Sequence, residues 1–169
     1  MKHPQSLSGT IEILIREPTQ KDINEMVALS YQKRQNYERV QPQFWRVSER
    51  AEEAQTKWFK DLLSQENTLM LIAESEDKLR GFVIGFLIKA PQVYDPGGLT
   101  LMIDDFCVEN SSEWQIIGKS LLEKLKSKAK AKGAVQVVVV SGAHDEAKRY
   151  FLKMLGLSCA SEWYVGEII

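Results

Sequence analysis

Apolar and polar residues alternate over residues 10–16, placing Ile11, Ile13 and Ile15 on one face, and this period of two predicts a strand. Pro18 stops it. Thr19 with Asp22 three residues on approximates a capping box, after which Ile23, Met26, Val27 and Ser30 recur at helical spacing. A polar stretch bearing Tyr37, Phe44 and Trp45 follows over residues 35–47. Ser48, Ala51, Ala54, Trp58, Leu62 and Leu63 then mark a second helix. Residues 68–73 and 79–88 read as strands joined by the charged turn 74–78. After a loop at 91–98 with Pro96-Gly97-Gly98, residues 99–108 form a fourth strand. Ser111 or Ser112 caps a long helix that runs to Lys132 and stops at Gly133. Residues 135–141 read as a buried strand, 145–155 as a helix ended by Gly156, and 159–169 as one or two closing strands. A three-strand meander followed by strand, helix and strand predicts a mixed sheet with helices packed on it.

Composition narrows the classes. A chain of 169 residues reads as one domain, 1–169, with residues 1–9 as a flexible tail. Its 22 basic and 23 acidic side chains give a net charge of −1, which lacks the broad basic surface of a nucleic-acid binder. The longest apolar runs, 82–88 and 135–140, fall short of the roughly 20 residues a membrane span needs. The first residues have no apolar stretch after their charge, so no signal peptide and a cytoplasmic location are expected. Two cysteines, Cys107 and Cys159, cannot build a disulfide framework, and with only His3 and His144 besides no metal is expected. Cys107, inside a strand, reads as a small packed side chain. The lysines at 124, 126, 128, 130 and 132 spread around their helix as a solvated face.

Chemistry concentrates where the strand 99–108 leaves its polar loop and enters the next helix near Trp114. Free N–H groups and the macrodipole at that helix start form a potential anion site, with Gly118 in the first turn. The stretch Ile103-Asp-Asp-Phe-Cys-Val108, the loop to Gln115, and Ile117-Gly118-Lys119-Ser120-Leu121-Leu122 resemble the GNAT superfamily of acyl-CoA-dependent N-acyltransferases. Val108 to Gly118 keeps the family spacing, as does the Leu121-Leu122 pair to Gly133. The Asp-Asp-Phe-Cys-Val segment is also similar to spermidine/spermine N-acetyltransferases. Residues 147–157, with Leu155-Gly156-Leu157, look like the family's closing helix. The resemblance implies an α/β fold with a mixed, mainly antiparallel sheet of six to seven strands and about four helices on both faces.

Three positions depart from the family pattern. Glu113 stands at the usual Arg or Gln position, Ile116 replaces the first motif glycine, and Leu152 replaces the tyrosine that protonates the departing thiolate in many members. A register shifted by two would bring Gln115 to the Arg/Gln position, but the downstream spacing agrees with the unshifted one. Tyr150 lies two residues from Leu152 and points elsewhere on a helix.

The implied reaction is direct acetyl transfer from acetyl-CoA, as co-substrate and without a metal, to a primary amine. A small-molecule acceptor is expected first and a peptide or protein amine second. The resemblance places the cofactor on Phe106, Cys107, Val108, Trp114, Gln115, Ile116, Ile117, Gly118 and Lys119. An alkylamine is almost wholly protonated at neutral pH, so a base is needed. Asp104 is the first candidate, acting through water. Asp105, on the opposite side of the strand, is second. His144, just before the last helix, is a further base or CoA contact, and Asp145 beside it is an N-cap. Tyr37, Phe44 and Trp45 would wall the acceptor site, although aromatics of this kind are as readily core packing. A homodimer is an expectation of the resemblance. The competing reading is a module of the same fold that binds acyl-CoA or a partner without turnover.

Overall fold

The computed structural model describes residues 12–169, so Thr10 and Ile11 of the first expected strand and the expected tail 1–9 lie outside the described residues. The strands are β1 (Leu14–Arg16), β2 (Thr68–Ser75), β3 (Lys78–Ile88), β4 (Leu99–Val108) and β5 (Ala134–Val139). The helices are α1 (Ile23–Val40), α2 (Pro42–Trp45), α3 (Ala51–Leu62), α4 (Lys119–Ala131) and α5 (Glu146–Met154). One sheet in the order β1-β2-β3-β4-β5 carries them; β1 to β4 are antiparallel and β5 is parallel to β4.

Strand alternation divides the sheet into two faces. Leu69, Leu71 and Val83 pack with Leu121, Leu122, Leu125 and Phe151 beneath α4 and α5. Met70, Ile72, Phe82 and Ile84 pack with Ile23, Met26, Phe59 and Leu62 beneath α1 and α3. The expected class, a mixed and mainly antiparallel sheet with helices on both faces, is therefore observed.

Local chemistry sets the element ends. Asp22 reaches back to the Thr19 N–H at 2.6 Å, which forms half of the expected capping box at the start of α1. The β2–β3 hairpin closes on Glu76 and Asp77, whose φ of 52° and 58° make the two-residue turn that matches strand twist. Gly133 and Gly156 take φ of 93° and 81° just past α4 and α5, the left-handed position that ends a helix without a Cβ clash.

Four expectations change. The strand expected to be buried at 135–141 forms as β5, but at the edge of the sheet and largely open to solvent, with Val135 55% exposed. Five strands stand among the described residues in place of six to seven, because residues 159–169 form no strand and lie on the surface, with Trp163 84% exposed. Their apolar pattern finds no sheet edge to pair with, and an extended segment without a partner is not a strand. The polar stretch 35–47 is helical over most of its length, as the end of α1 and as α2, with Tyr37 turned into the protein. Five α-helices therefore stand among the described residues where about four were expected. The helix expected from Ser111 or Ser112 begins instead as a 3-10 turn, Ser111–Glu113, and a wide π turn, Trp114–Gly118.

Arg16 ties three elements together. Its guanidinium donates to both Asp22 oxygens, at 2.8 and 2.9 Å, and to Glu74 on β2. The guanidinium outweighs partial burial and holds the Asp22 carboxyl at about 2, below its ordinary 3.8. A depressed carboxylate stabilises the fold above its unfolded value and loses that contribution as pH falls toward the folded one. Asp22→Asn is expected to lower stability by about 1 kcal/mol at neutral pH, this partly exposed pair being screened by solvent. Urea unfolding from pH 6 downward checks it: the gap between the two proteins closes as pH drops through 3.8 toward 2.

Candidate functional site

The site begins with one residue too many in β4. Ile84 of β3 pairs with Asp105, but its neighbour Gly85 pairs with Ile103, so Asp104 has no partner and bulges. The extra residue reverses the alternation. Leu101 and Ile103 face α4 before the bulge, Phe106 faces that same side after it, and Asp105 and Cys107 face α1. The bulge also ends pairing with β5. The last bond is from the Val140 N–H to the Ile103 carbonyl, 2.9 Å, and beyond it β4 runs on to Val108 alongside β3 only. The two parallel strands thus part into a wedge.

The loop after β4 sits beside that wedge. Trp114 is buried, stacked on Phe151 with ring centroids 5.2 Å apart and edge-on to Phe106 at 4.9 Å. A Cβ on Gly118 would meet the Trp114 ring at 2.6 Å, so this position accepts only glycine while the indole stays where it is. Ile117 is core; Gln115, Ile116 and Lys119 are exposed. Glu113 does not present a bare carboxylate, since Arg80 of β3 pairs with it and with Glu109, the latter at 2.9 Å. The unfavourable charge read from the sequence is therefore compensated from a neighbouring strand.

On the α1 side, Asp105 is 2% exposed and saturated with partners. Lys33 donates at 2.7 Å to one oxygen; Ser30 and Gln55 donate at 3.2 Å to the other, and Arg34 lies 3.7 Å away. Burial alone would push this carboxyl up, but Lys33 and Arg34 hold it below the usual range. Cys107, whose thiol lies 3.5 Å from Asp105, is pushed up to about 12 by burial and is an uncharged side chain. Asp104 is exposed at the bulge and makes no ion pair among the described residues.

The aromatic residues meet at the open end of β5. The Tyr37 ring lies 4.5 Å from His144 and 5.1 Å from Trp45, and Phe44 lies edge-on to Trp45 at 4.6 Å. The Tyr37 hydroxyl donates to Asp145 at 2.9 Å. Burial, and then that carboxylate, push it above its ordinary range. Asp145 also caps α5 by accepting from the Lys148 N–H. Beside this cluster a cleft of about 440 Å³ opens among α1, α2 and α3, lined by Phe44, Trp45, Trp58, Arg34 and Arg46. Gln55, which also lines it, is one of the residues that bond Asp105.

The structure thus brings Tyr37, Phe44, Trp45 and His144 into one cluster, and Phe106, Cys107 and Val108 along one side of the wedge. Of the helix-start residues, Trp114 and Ile117 point inward. Sequence reasoning missed Lys33, Arg34, Arg80 and Lys148. For Lys148 a signal existed: it shares a helix face with Phe151, Leu152 and Leu155, a charge on an apolar stripe. For the others the partner lies on a distant element, and no local pattern reports it. No helix is long and apolar enough to cross a membrane, and no cluster of metal ligands occurs among the described residues.

Residues 31–157 match the profile of the acetyltransferase (GNAT) family. No curated protein matches in sequence. Solved structures match in fold. A point mutant of the BH1408 protein from Bacillus halodurans superposes with a TM-score of 0.80 at 21% identity, covering 92% of this chain and 99% of that one. A predicted acetyltransferase with acetyl-CoA from Clostridium acetobutylicum gives 0.71 at 20%, covering 92% and 96%. The aminoglycoside N-acetyltransferase AAC(6')-Iy in complex with CoA gives 0.72 at 12%, covering 96% and 98%. At these identities the likeness is one of fold.

Removing one partner of a buried ion pair strands the other. Asp105→Ala is expected to destabilise the fold by about 3 kcal/mol, the low end for such pairs because Lys33 stays 20% exposed. Chemical denaturation of Asp105→Ala beside the double variant Lys33→Met/Asp105→Leu checks it. The double variant recovers most of the loss.

Proposed function

The chain belongs to the GNAT acetyltransferase family, and on that premise we propose that it transfers an acetyl group from acetyl-CoA directly to a primary amine of a small molecule. The observation that carries this reading is the wedge where β4 and β5 part, with the start of the α4 segment beside it. The Phe106 carbonyl faces into the wedge, where it accepts from Lys148, and in an extended strand the N–H of the same residue points the same way. That N–H is free to meet the carbonyl oxygen of a thioester, and such a donor contributes a few kcal/mol as the oxyanion forms. At the mouth, the backbone of residues 114–118 and exposed Lys119 face a pyrophosphate, with the Glu113 carboxylate drawn to Arg80, which it shares with Glu109.

Asp104 is the base in this reading. Its bulge takes it out of the ladder, and it is exposed and unpaired where Asp105 is saturated. It takes the proton of the incoming ammonium through water, and the neutral amine attacks the thioester. Tyr37, Phe44, Trp45 and His144 form the acceptor-side wall. A module that binds acyl-CoA without turnover is the second reading, favoured by Leu152, which has no proton to give.

Calorimetric titration and thermal unfolding with acetyl-CoA, with desulfo-CoA and ATP as controls, test the first step. At a hundredfold excess over Kd, binding stabilises the native state by about 2.7 kcal/mol. No heat and no shift at millimolar acetyl-CoA would remove the acetyltransferase reading. Free-thiol release with a panel of primary amines follows. There Asp104→Asn is expected to lower turnover about 100-fold with acceptors that arrive protonated. An unchanged rate would exclude Asp104 as the base.

A further inference from the structure

Lys148 is the one charged side chain sealed into the wedge. It is 1% exposed, and its Nζ donates at 2.9 Å to the Val140 carbonyl, at the end of β5, and at 3.3 Å to the Phe106 carbonyl of β4. The ammonium therefore sits between the two strands just beyond their last mutual bond, Val140 to Ile103. It lies 5.5 Å from the Phe106 ring centroid and 5.7 Å from that of Trp114. An ammonium carries three N–H donors, and the two carbonyls engage two of them. No carboxylate lies within ion-pairing distance among the described residues. A buried cation without a counter-ion is destabilising, and an anion entering the wedge would meet its remaining N–H.

The helix supplies the second observation. Lys148 precedes Leu152 by four residues, so the two share one face of α5 and one neighbourhood. Leu152, at the position where the family resemblance implies a proton donor, is apolar, and one turn earlier the structure puts an ammonium with a spare N–H in the wedge.

We propose that Lys148 donates the proton that converts the departing CoA thiolate to the thiol. This rests on the acetyltransferase reading above. The neutral amine adds to the thioester carbon, forming the C–N bond. The C–S bond then breaks and its electron pair leaves on sulfur. The third N–H of Lys148 passes its proton to that sulfur, and the neutral amine of Lys148 regains one from solvent. The nitrogen, cationic once the C–N bond has formed, gives its extra proton to solvent, and this balances the proton given to the thiol. Before transfer, the ammonium stabilises the charge building on sulfur.

The groups facing Lys148 set when it can act. Burial, and then Lys33 on α1, bring it down to about 8; Asp145 at the cap of α5 and Asp105 of β4 oppose them, while the neighbouring Cys107 thiol is uncharged. The Phe106 ring of β4 and the Trp114 ring at the start of the α4 segment also face it. An acid of this strength is protonated at neutral pH and close enough to the thiol range to exchange its proton readily.

The test uses thiol release from acetyl-CoA with hydroxylamine as acceptor, a nucleophile that is uncharged at neutral pH and so bypasses the base. The wild-type rate at saturation is expected to fall as pH rises past about 8. Lys148→Met is expected to bind CoA as the wild type does, to release thiol about 100-fold more slowly and to lose the alkaline limb. Lys148→Arg keeps the charge but holds its proton too tightly, and stays slow. A Lys148→Met enzyme within about threefold of the wild-type rate, or one whose alkaline limb persists, overturns the proposal. If the variants do not fold, the wild-type profile decides alone, and the absence of an alkaline limb sinks it. A wild type that binds no acetyl-CoA fails at an earlier step, and there the acetyltransferase reading itself falls.

Discussion

Most of the site follows from a mismatch of one residue between β3 and β4. Because Asp104 finds no partner opposite Ile84 and Gly85, everything after it is turned over, and the ladder to β5 cannot continue. A straight β4 would keep β5 paired and close the wedge. It would also send Phe106 to the α1 side and Asp105 into the apolar layer under α4. The bulge instead sends Asp105 toward Ser30, Gln55 and Lys33, polar groups that α1 and α3 already supply. Strand register and buried-charge placement are thus one constraint.

Around that strand the charges are arranged by how well each is compensated. Asp105 has two cations and two neutral donors, and such a carboxylate stays ionised and fixed. Glu113 and Glu109 share Arg80 at the rim, where solvent screens them. Lys148 has carbonyl dipoles and aromatic faces but no carboxylate, and it is the group whose proton is loosened. The same low dielectric that makes Asp105 a good anchor makes Lys148 a mobile acid.

The aromatic cluster at the open end of β5 is held by different contacts. Tyr37 is buried, and its hydroxyl ties α1 to the N-cap of α5, while Phe44 stays on the surface against Trp45 and within 6.2 Å of Trp163. One end of the aromatic cluster is therefore held by hydrogen bonds and packing. The other is an open rim next to a cleft whose charged lining is two arginines, Arg34 and Arg46.

Periodicity in the chain was sufficient for the β2–β3 hairpin, β4, β5 and α5, because each carries its own repeat and its own stop, such as Gly133 and Gly156. Spacing from Val108 to Gly118 and on to Gly133 was sufficient for the family, since a strand end, its turn and the helix that follows are local features. The sequence did not determine that residues 159–169 would lack a strand. Strands exist only against a partner edge, and none of the chain's edges takes them. Nor did it determine that Asp104 and Asp105, adjacent and chemically alike, would differ so completely, one bare at a bulge and one locked beneath two cations. That difference, Arg80's pairing with Glu113 and the position of Lys148 between two parting strands all join residues far apart in the chain. Burial and hydrogen-bond register arise only when distant segments meet, and so the tertiary structure alone decided them.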